Sequence, residues 1–309
     1  MKSTIGAWLA LGAMVFAACT DGTGPGVGGP GGTAQDRSEV TAALDASGYS
    51  SDSFSDDGAV EMVVPAEPSA SGAATGDPVT LPRVWGRRLG QPINRNININ
   101  IANDTARVSH AVDFDGKFML DITQDNQLNP TEKPLKVTRL QNALLVKRAE
   151  ADASGRRWKL VQLSPARWVV TDQAKRTVSV THIVVEVNGA VKIDVTDPAT
   201  LYDVDNQLPL LAQGDVVKVT ATVSNTTGTN NTPDTFVFLH VRDRGVGVRG
   251  WARLPMEKDA DGNYVRTWTV NADVRERLAV DAIDAQTFKT QTDDDYRSDV
   301  VAIPYRLKQ

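Results

Sequence analysis

The sequence predicts an all-β protein that contains two antiparallel β-sandwich or barrel domains. The clearest strand lies at residues 93–101, where isoleucines alternate with asparagines, so one face is expected to be buried and the other wet. Turn dipeptides of the kind that join hairpins, Asp115-Gly116 and Asn188-Gly189, separate further runs of β-branched residues. Because strands dominate and turns separate them, an antiparallel architecture is expected.

The first predicted domain covers residues 81–195. Residues 140–151 fit both a helical stripe and a strand face, and the turn signal Ala153-Ser154-Gly155 that follows favours a hairpin. The asparagine row at residues 94–100 could contact ice or a glycan. Only one strand carries that row, so a solvated outer face is the preferred interpretation.

The second predicted domain covers residues 196–309, where short strands again follow one another with turns between them. Three stretches resemble bacterial immunoglobulin-like domains of cell-surface proteins. This resemblance implies a β-sandwich that serves as a spacer or a binding module, and it carries over no catalytic residue. The stretches are Gly214-Asp215 before an alternating strand, Asp261-Gly262-Asn263-Tyr264 before Thr267-Trp268, and residues 280–285.

The N-terminal segment has the pattern of an export signal. Lys2 precedes an uncharged, apolar run at residues 5–16, which is too short for a transmembrane helix of about 20 residues. Phe16-Ala17-Ala18-Cys19 resembles the lipobox of bacterial lipoproteins. The resemblance implies a signal peptide at 1–18, a lipid on Cys19 and an outer-membrane location. The protein could face either the periplasm or the cell surface. The alternative is a plain secretory signal whose cleavage leaves a free thiol.

Residues 19–80 have the composition of a disordered tether. The segment from 20 to 80 carries ten acidic groups and one arginine, and seven of the eleven residues 22–32 are glycine. Two short pieces could order locally: Asp36–Ala46 as a single helix and Gly58–Pro65 as a strand. A lone cysteine excludes an intramolecular disulfide, so the core must hold the fold.

Charge and motifs exclude several classes of function. Residues 81–195 carry a net charge of +7 and residues 196–309 carry −4, and neither has the dense basic stripe of a nucleic-acid-binding protein. No phosphate loop, dinucleotide-binding fingerprint or nucleophile elbow occurs. We therefore expect no cofactor, no nucleic-acid partner and no catalytic residue.

Metal sites receive little support from the sequence. The three histidines, His110, His182 and His240, fall on separate predicted strands without a second histidine at ligand spacing. Asp259, Asp261 and Asn263 place oxygen ligands on alternate residues, as calcium requires, but a hairpin turn is the preferred interpretation. The acidic run Asp293-Asp294-Asp295 could complete such a site if the fold brings the two stretches together.

The preferred ligand-binding candidate is an exposed aromatic and basic edge near the start of the first domain. It consists of Trp85 with Arg83, Arg87 and Arg88, a combination suited to an anionic glycan or an acidic envelope protein. The sequence thus favours a lipid-anchored, non-enzymatic binding or scaffolding module. The alternative is an enzyme, or an enzyme accessory, that acts on envelope polysaccharide.

The anchor hypothesis predicts that Cys19→Ser moves the protein out of the membrane fraction, because stable attachment needs the acyl chains that this cysteine would carry. The measurement is immunoblotting of fractionated cells, with Thr20→Ser as the neighbouring control that should stay in the membrane fraction. Equal membrane retention of Cys19→Ser and wild type would contradict lipidation.

Overall fold

The computed structural model describes most of the chain, and the described part is mainly β-sheet. Its strand pairs are antiparallel except for one short parallel pair, so the predicted all-β, antiparallel class is confirmed. The described residues are 32–49, 84–123, 129–227, 235–242, 251–271, 277–289 and 295–308.

The described residues form two α-helices, one short 3-10 helix (Gln173–Lys175) and seventeen strands. The α-helices are α1 (Ala34–Ala46) and α2 (Gln286–Lys289). The first nine strands are β1 (Val84–Ala102), β2 (Thr105–Asp121), β3 (Thr131–Lys147), β4 (Trp158–Leu163), β5 (Ala166–Val170), β6 (Val178–Val187), β7 (Ala190–Val195), β8 (Tyr202–Asp203) and β9 (Leu210–Leu211). The others are β10 (Val216–Asn225), β11 (Thr235–Arg242), β12 (Trp251–Pro255), β13 (Glu257–Lys258), β14 (Tyr264–Thr269), β15 (Arg277–Asp284), β16 (Ser298–Pro304) and β17 (Arg306–Leu307).

Two large sheets contain most of these strands. In the first sheet the order is β1-β2-β3-β5-β16-β15-β11-β12, with β4 beside β3 and β8 beside β4. In the second sheet the order is β13-β14-β10-β6-β7. The short strands β9 and β17 form the parallel pair, which holds the C-terminal end of the described chain beside residues 210–211.

Strands β1, β2 and β3 form a long meander. The asparagines at 94–100 are exposed while Ile99 and Ile101 are buried, as the alternation predicts, but Ile93, next to the register shift at Pro92, is exposed. Residues 140–147, which fit both helix and strand, belong to β3. The β6–β7 turn also agrees with its sequence signal, because Asn188 and Gly189 both have positive φ, as a type I′ turn requires.

The predicted turn at Asp115-Gly116 is wrong, because β2 runs straight through both residues. Gly116 pairs with Leu89 on β1, next to a register shift that involves Pro92. A Cβ atom at Gly116 would clash with the carbonyl oxygen of Arg88. The glycine thus permits close approach of two backbones at a bulge, which is the other common role of glycine in a strand.

The strands β11, β15 and β16 form a central layer that is covered on both faces. Every residue of β15 and of β16 is buried. One face packs on the second sheet and forms a core of aliphatic side chains. The buried residues of that core include Val185, Ile193, Val217, Val219, Leu239, Val280, Ala282, Val301 and Ile303.

The other face of the central layer packs against the meander. This core is rich in aromatic rings and comes from the first half of β1, the second half of β2 and the start of β3. It includes Trp85, Phe114, Phe118, Leu135, Val137, Trp168, Phe238, Phe288 and Tyr296. The protein therefore has three β layers and two interlayer cores, rather than the single core of one sandwich.

Three strand ladders cross the predicted domain boundary at residues 195 and 196, and the shortest of them pairs β4 with β8. Strand β5 pairs with β16, for example Trp168 with Val300. Strand β6 pairs with β10, for example Val185 with Val219. The chain on the two sides of the boundary therefore shares both large sheets, a result of long-range pairing that local strand spacing does not reveal.

Helix α1 lies within the segment predicted as a tether and includes Asp36–Ala46, the stretch that the sequence indicated could form a single helix. Thr33 and Asp36 form a reciprocal capping box at its N-terminus. Val40, Ala43 and Leu44 are buried in a third core, against Ile99, Ile101, Leu145, Trp158 and Leu163. What the sequence does not indicate is that this helix packs into a core, because the core residues come from distant strands.

Polar contacts fix α1 to the meander. The Asp36 carboxylate accepts a hydrogen bond from Lys147 Nζ at 2.7 Å, and Arg37 donates to the carbonyl oxygen of Ile99 at 2.6 Å. No described helix is long and apolar enough to span a membrane.

We predict that Leu44→Ala exposes α1 to protease. Deleting a buried leucine side chain costs about 2–5 kcal/mol, which is large for the docking of one short helix. The measurement is limited proteolysis with mass-spectrometric mapping of cuts at residues 32–49. Asp45→Ala, an exposed neighbour given the same replacement, should leave the cleavage rate unchanged. Equal rates for both variants would mean that α1 is not held by this core.

Candidate functional site

The structure places Trp85 inside the aromatic core instead of on an exposed edge. Its side chain is 6% exposed, and its ring centroid lies 5.1 Å from that of Phe238 and 5.5 Å from that of Phe288. The guanidinium carbon of Arg253 lies 3.7 Å from the Trp85 ring centroid. Trp85 is therefore a packing residue with a cation–π partner, and an external glycan cannot stack on it.

Arg87 also points inward, and only Arg88 of the described arginines in this stretch is exposed. Arg87 is 3% exposed and forms a bidentate ion pair with Asp281, at 2.6 and 2.8 Å. Arg83 lies outside the described residues. The prediction of an exposed aromatic and basic edge is therefore wrong. Alternate residues of a strand face opposite sides, and Trp85 and Arg87 both lie on the buried side.

Asp281 is the centre of a buried polar network that joins β1, β11, β15 and the segment before β16. His240 Nε2 lies 3.0 Å from the Asp281 carboxylate. Arg87 Nε donates to the Tyr296 hydroxyl oxygen at 2.6 Å, and the Ser298 hydroxyl donates to the same oxygen at 2.6 Å. The side chains are of the types found in catalytic sites, but all five are buried, so the network connects layers of the fold.

The charges of this network are set by burial and pairing. Burial alone would raise the pKa of Asp281, but the Arg87 charge and the hydrogen bonds from His240 and Arg87 outweigh it and hold this pKa well below its usual range. Burial raises the pKa of the Tyr296 hydroxyl, so that group stays neutral. The network thus contains an ionised carboxylate that is compensated inside the protein.

Two adjoining cavities lie on a different part of the surface. The first has a volume of about 490 Å³ and is formed by the C-terminal end of α1, β4 and the loops around them. The second, of about 500 Å³, is formed by the β6–β7 turn, residues 206–210 and the C-terminal residues. Both are lined by Leu210 and Arg306, so they adjoin at these residues, and we describe the two together as a groove.

The groove is lined by more cations than anions, and we call it the basic groove. Its cations are Arg148, Arg156, Lys159, Lys192, Arg306 and Lys308. Its carboxylates are Asp152, Asp205 and Asp215. Its apolar lining includes Ala43, Ala46, Leu160, Val204, Leu208, Leu210 and Leu307.

Each carboxylate of the basic groove is ionised and already engaged. A hydrogen bond from Lys159, and then the charges of Lys159, Arg306 and Arg148, lower the pKa of Asp205. Hydrogen bonds from the Ser154 hydroxyl and nearby backbone lower the pKa of Asp152 to about 2.

Asp215 follows the same pattern at the other end of the basic groove. Hydrogen bonds from Asn188 and the Ala212 backbone, and then the charges of Lys308 and Lys192, lower its pKa. With all three carboxylates ionised, the six cations still leave the lining with a net positive charge.

Four cations of the basic groove form no direct ion pair among the described residues, although their charges act on Asp205 or Asp215 from a greater distance. Arg156 faces Asp152 at 3.6 Å and Lys159 faces Asp205 at 2.6 Å, whereas Arg148, Lys192, Arg306 and Lys308 have no such pair. Arg306 is half-buried where the two cavities meet, and its Nε atom is shielded from solvent without a hydrogen-bond acceptor in the described structure. A buried donor without an acceptor is costly unless a ligand satisfies it.

The sequence could have indicated part of the basic groove. Lys147-Arg148, Arg156-Arg157 and Lys159 are clustered in the chain, and the C-terminal residues contain Arg306 and Lys308. What the sequence does not contain is their convergence, which depends on the parallel pairing of β17 with β9.

The remaining candidate residues do not form a site together. His110 and His240 are buried, and exposed His182 lies 2.7 Å from Asp194. Asp259 caps a turn, since its carboxylate accepts the backbone N–H groups of Asp261 and Asn263. Asp293 and Asp294 lie outside the described residues. Within the described residues, no three His, Cys, Asp or Glu side chains are grouped so that they could hold a metal ion.

Comparison with protein-family models, curated proteins and solved structures finds no match to the chain in any of the three.

We predict that Asp281→Asn lowers the free energy of unfolding by about 3–5 kcal/mol, because it leaves the buried Arg87 charge uncompensated. The measurement is urea unfolding near neutral pH. Asp205→Asn removes a carboxylate from an exposed ion pair and should change the unfolding free energy by no more than about 1 kcal/mol. Equal effects of the two variants would show that the buried pair contributes nothing special.

The same comparison has a predicted pH dependence. The pKa of Asp281 is lowered in the folded protein, so its stabilisation is complete above the unfolded value of about 4 and is lost as the pH falls below it. The gap in unfolding free energy between wild type and Asp281→Asn should therefore be smaller at pH 3 than at pH 6. A gap that widens on acidification would contradict the assigned direction.

Proposed function

We propose that this protein is a lipid-anchored envelope protein and a non-enzymatic module that binds an anionic glycan through the basic groove. The observation that carries the proposal is the set of four cations that form no direct ion pair among the described residues, centred on half-buried Arg306. A ligand that bears carboxylate or phosphate groups supplies the acceptors that these side chains lack. The proposal keeps the anionic partner expected from the sequence and moves its binding site.

The shape of the basic groove favours an extended ligand over a small anion. Lys192 and Lys308 line one cavity, Arg148 lines the other, and Arg306 lines both. A chain of charged sugars contacts both cavities at once, whereas a single anion fills only one. The apolar lining, which includes Leu210 and Leu307, supplies contacts for sugar ring faces that salt does not screen.

The carboxylates of the basic groove support binding over the alternative of glycan hydrolysis. Glycoside hydrolysis uses one carboxyl group that stays protonated at working pH, because it must give a proton to the leaving group. The pKa values of Asp152, Asp205 and Asp215 are all lowered, which is the opposite direction. The groove is therefore suited to holding a polymer without cleaving it.

The anchoring part of the proposal rests on the resemblance of Phe16-Ala17-Ala18-Cys19 to a lipobox and includes an outer-membrane location. Because α1 is packed on the folded body, the tether between a lipid on Cys19 and that body would end near Gly32 and not near residue 80. Thirteen residues span at most about 45 Å when fully extended. The module would therefore act close to the membrane surface.

In this proposal, residues 196–309, which were predicted as an immunoglobulin-like sandwich, supply Arg306 and Lys308 and the strands that support them. Strand β17, which carries Arg306, follows directly after β16 of the fully buried central layer. A rigid frame holds the cations in fixed positions and reduces the ordering cost of binding.

We predict that Arg306→Gln weakens binding to polygalacturonate about three- to tenfold at low salt, because it removes the charge shared by both cavities. The measurement is retention or calorimetry across a sodium chloride series, in which wild-type binding should fall as salt rises. Lys308→Gln should weaken binding less, since Lys308 is more exposed and lines only one cavity.

The control for this experiment is Arg88→Gln, which removes an exposed cation outside the groove lining and should bind as wild type does. Neutral dextran and polyglutamate serve as comparison ligands. No binding of polygalacturonate at low salt, or equal losses for Arg306→Gln and Arg88→Gln, would remove the proposed site. Stronger binding of polyglutamate would identify an acidic protein as the partner instead.

A further inference from the structure

A cavity on the outer face of the meander differs in chemistry from the basic groove. It has a volume of about 410 Å³ and lies over the rows where β1, β2, β3 and β5 are in register. We call it the amide pocket. Its lining on the strands includes Asn96, Asn98, Ser109, Ala111, Leu140 and Asn142, and residues 197–199 form one wall.

Three side chains of the amide pocket have unused hydrogen-bonding capacity. Asn96, Asn98 and Ser109 form no side-chain hydrogen bond within the described residues. Asn94, two residues earlier on the same strand, differs because its amide donates to Asp113 at 3.1 Å. Amide and hydroxyl groups both donate and accept, so the pocket offers both functions on neighbouring strands.

The wall of the amide pocket is fixed by local hydrogen bonds. The Asp197 carboxylate accepts the backbone N–H of Ala199 at 2.9 Å, and Asn142 Nδ2 lies 3.4 Å from the carbonyl oxygen of Ala199. The pocket is therefore held open by the folded chain, and binding would need little additional ordering.

The floor and the charge of the amide pocket narrow the class of ligand. Leu140 is 40% exposed and lies beside Ala111, so the floor is an accessible apolar surface. The Arg167 charge is paired with the Asp299 carboxylate at 2.8 Å, which leaves no free cation in the lining. The pocket has no attraction for anions and differs in this respect from the basic groove.

We propose that the amide pocket binds an uncharged saccharide unit. Sugar hydroxyls donate and accept hydrogen bonds, which matches Asn96, Asn98 and Ser109, and the C–H face of a pyranose ring suits Leu140. The asparagine row alone indicated only a wet face, because one strand carried it. In the fold, Ser109 and Asn142 on β2 and β3 extend the polar surface beside Asn98.

The test uses the full-length protein in a polyoxyethylene detergent, because sugar-based detergents would compete. Glucan, mannan and galactan hexasaccharides are titrated at 0.5 M sodium chloride, where attraction to the basic groove is screened. We expect at least one of them to bind. Asn98→Ala and Leu140→Asn should each weaken that binding about fivefold or more, the effect of one lost hydrogen bond or apolar contact.

Asn100→Ala is the matched control. Asn100 lies on the same face of the same strand, has no side-chain hydrogen bond in the described residues and does not line the pocket. It should bind as wild type does, and so should Arg306→Gln, which separates this site from the basic groove. The proposal is overturned if no hexasaccharide binds at 10 mM, or if Asn98→Ala and Asn100→Ala reduce binding equally.

Discussion

The ion pair between Asp281 and Arg87 determines how the three layers of this protein can stack. Strand β15 is buried along its whole length, and Asp281 places a carboxylate in the middle of it. Such a charge is tolerated only with a partner of excellent geometry, and Arg87 supplies two hydrogen bonds from a strand in another layer. The first half of β1 must therefore lie over the central layer, which places Trp85 among the aromatic rings.

Once that half of the meander is fixed, the length of its strands determines where the core under α1 and the basic groove lie. The second half of β1, the first half of β2 and the end of β3 extend to form the core that α1 covers. The pair between Lys147 and Asp36 then closes the helix onto the end of β3. The C-terminal end of α1 becomes one side of the basic groove, so the groove depends on the same meander as the buried network.

The sequence predicted features that depend on neighbouring residues and missed those that depend on distant ones. Period-two alternation correctly gave the exposed asparagines, and Asn188-Gly189 correctly gave a turn, because both follow from local backbone geometry. The same alternation places Trp85 and Arg87 together but does not reveal which face is buried. The answer comes from Asp281, which is 194 residues further along the chain than Arg87. For the same reason the basic groove could not be found as a site.

The two proposed sites differ from the protein interior in whether polar groups are paired within the protein. In the interior, Asp281 and Asp299 are paired with arginines, because an unpaired charge there would be prohibitively unfavourable. At the basic groove and the amide pocket, water can satisfy most of the free groups, so leaving them unpaired costs little stability. Helix α1 is about 20 Å long, and its far end borders the groove. A lipid on Cys19 would therefore hold the groove within about 65 Å of the membrane, which is the zone in which the proposed anionic glycan would have to lie.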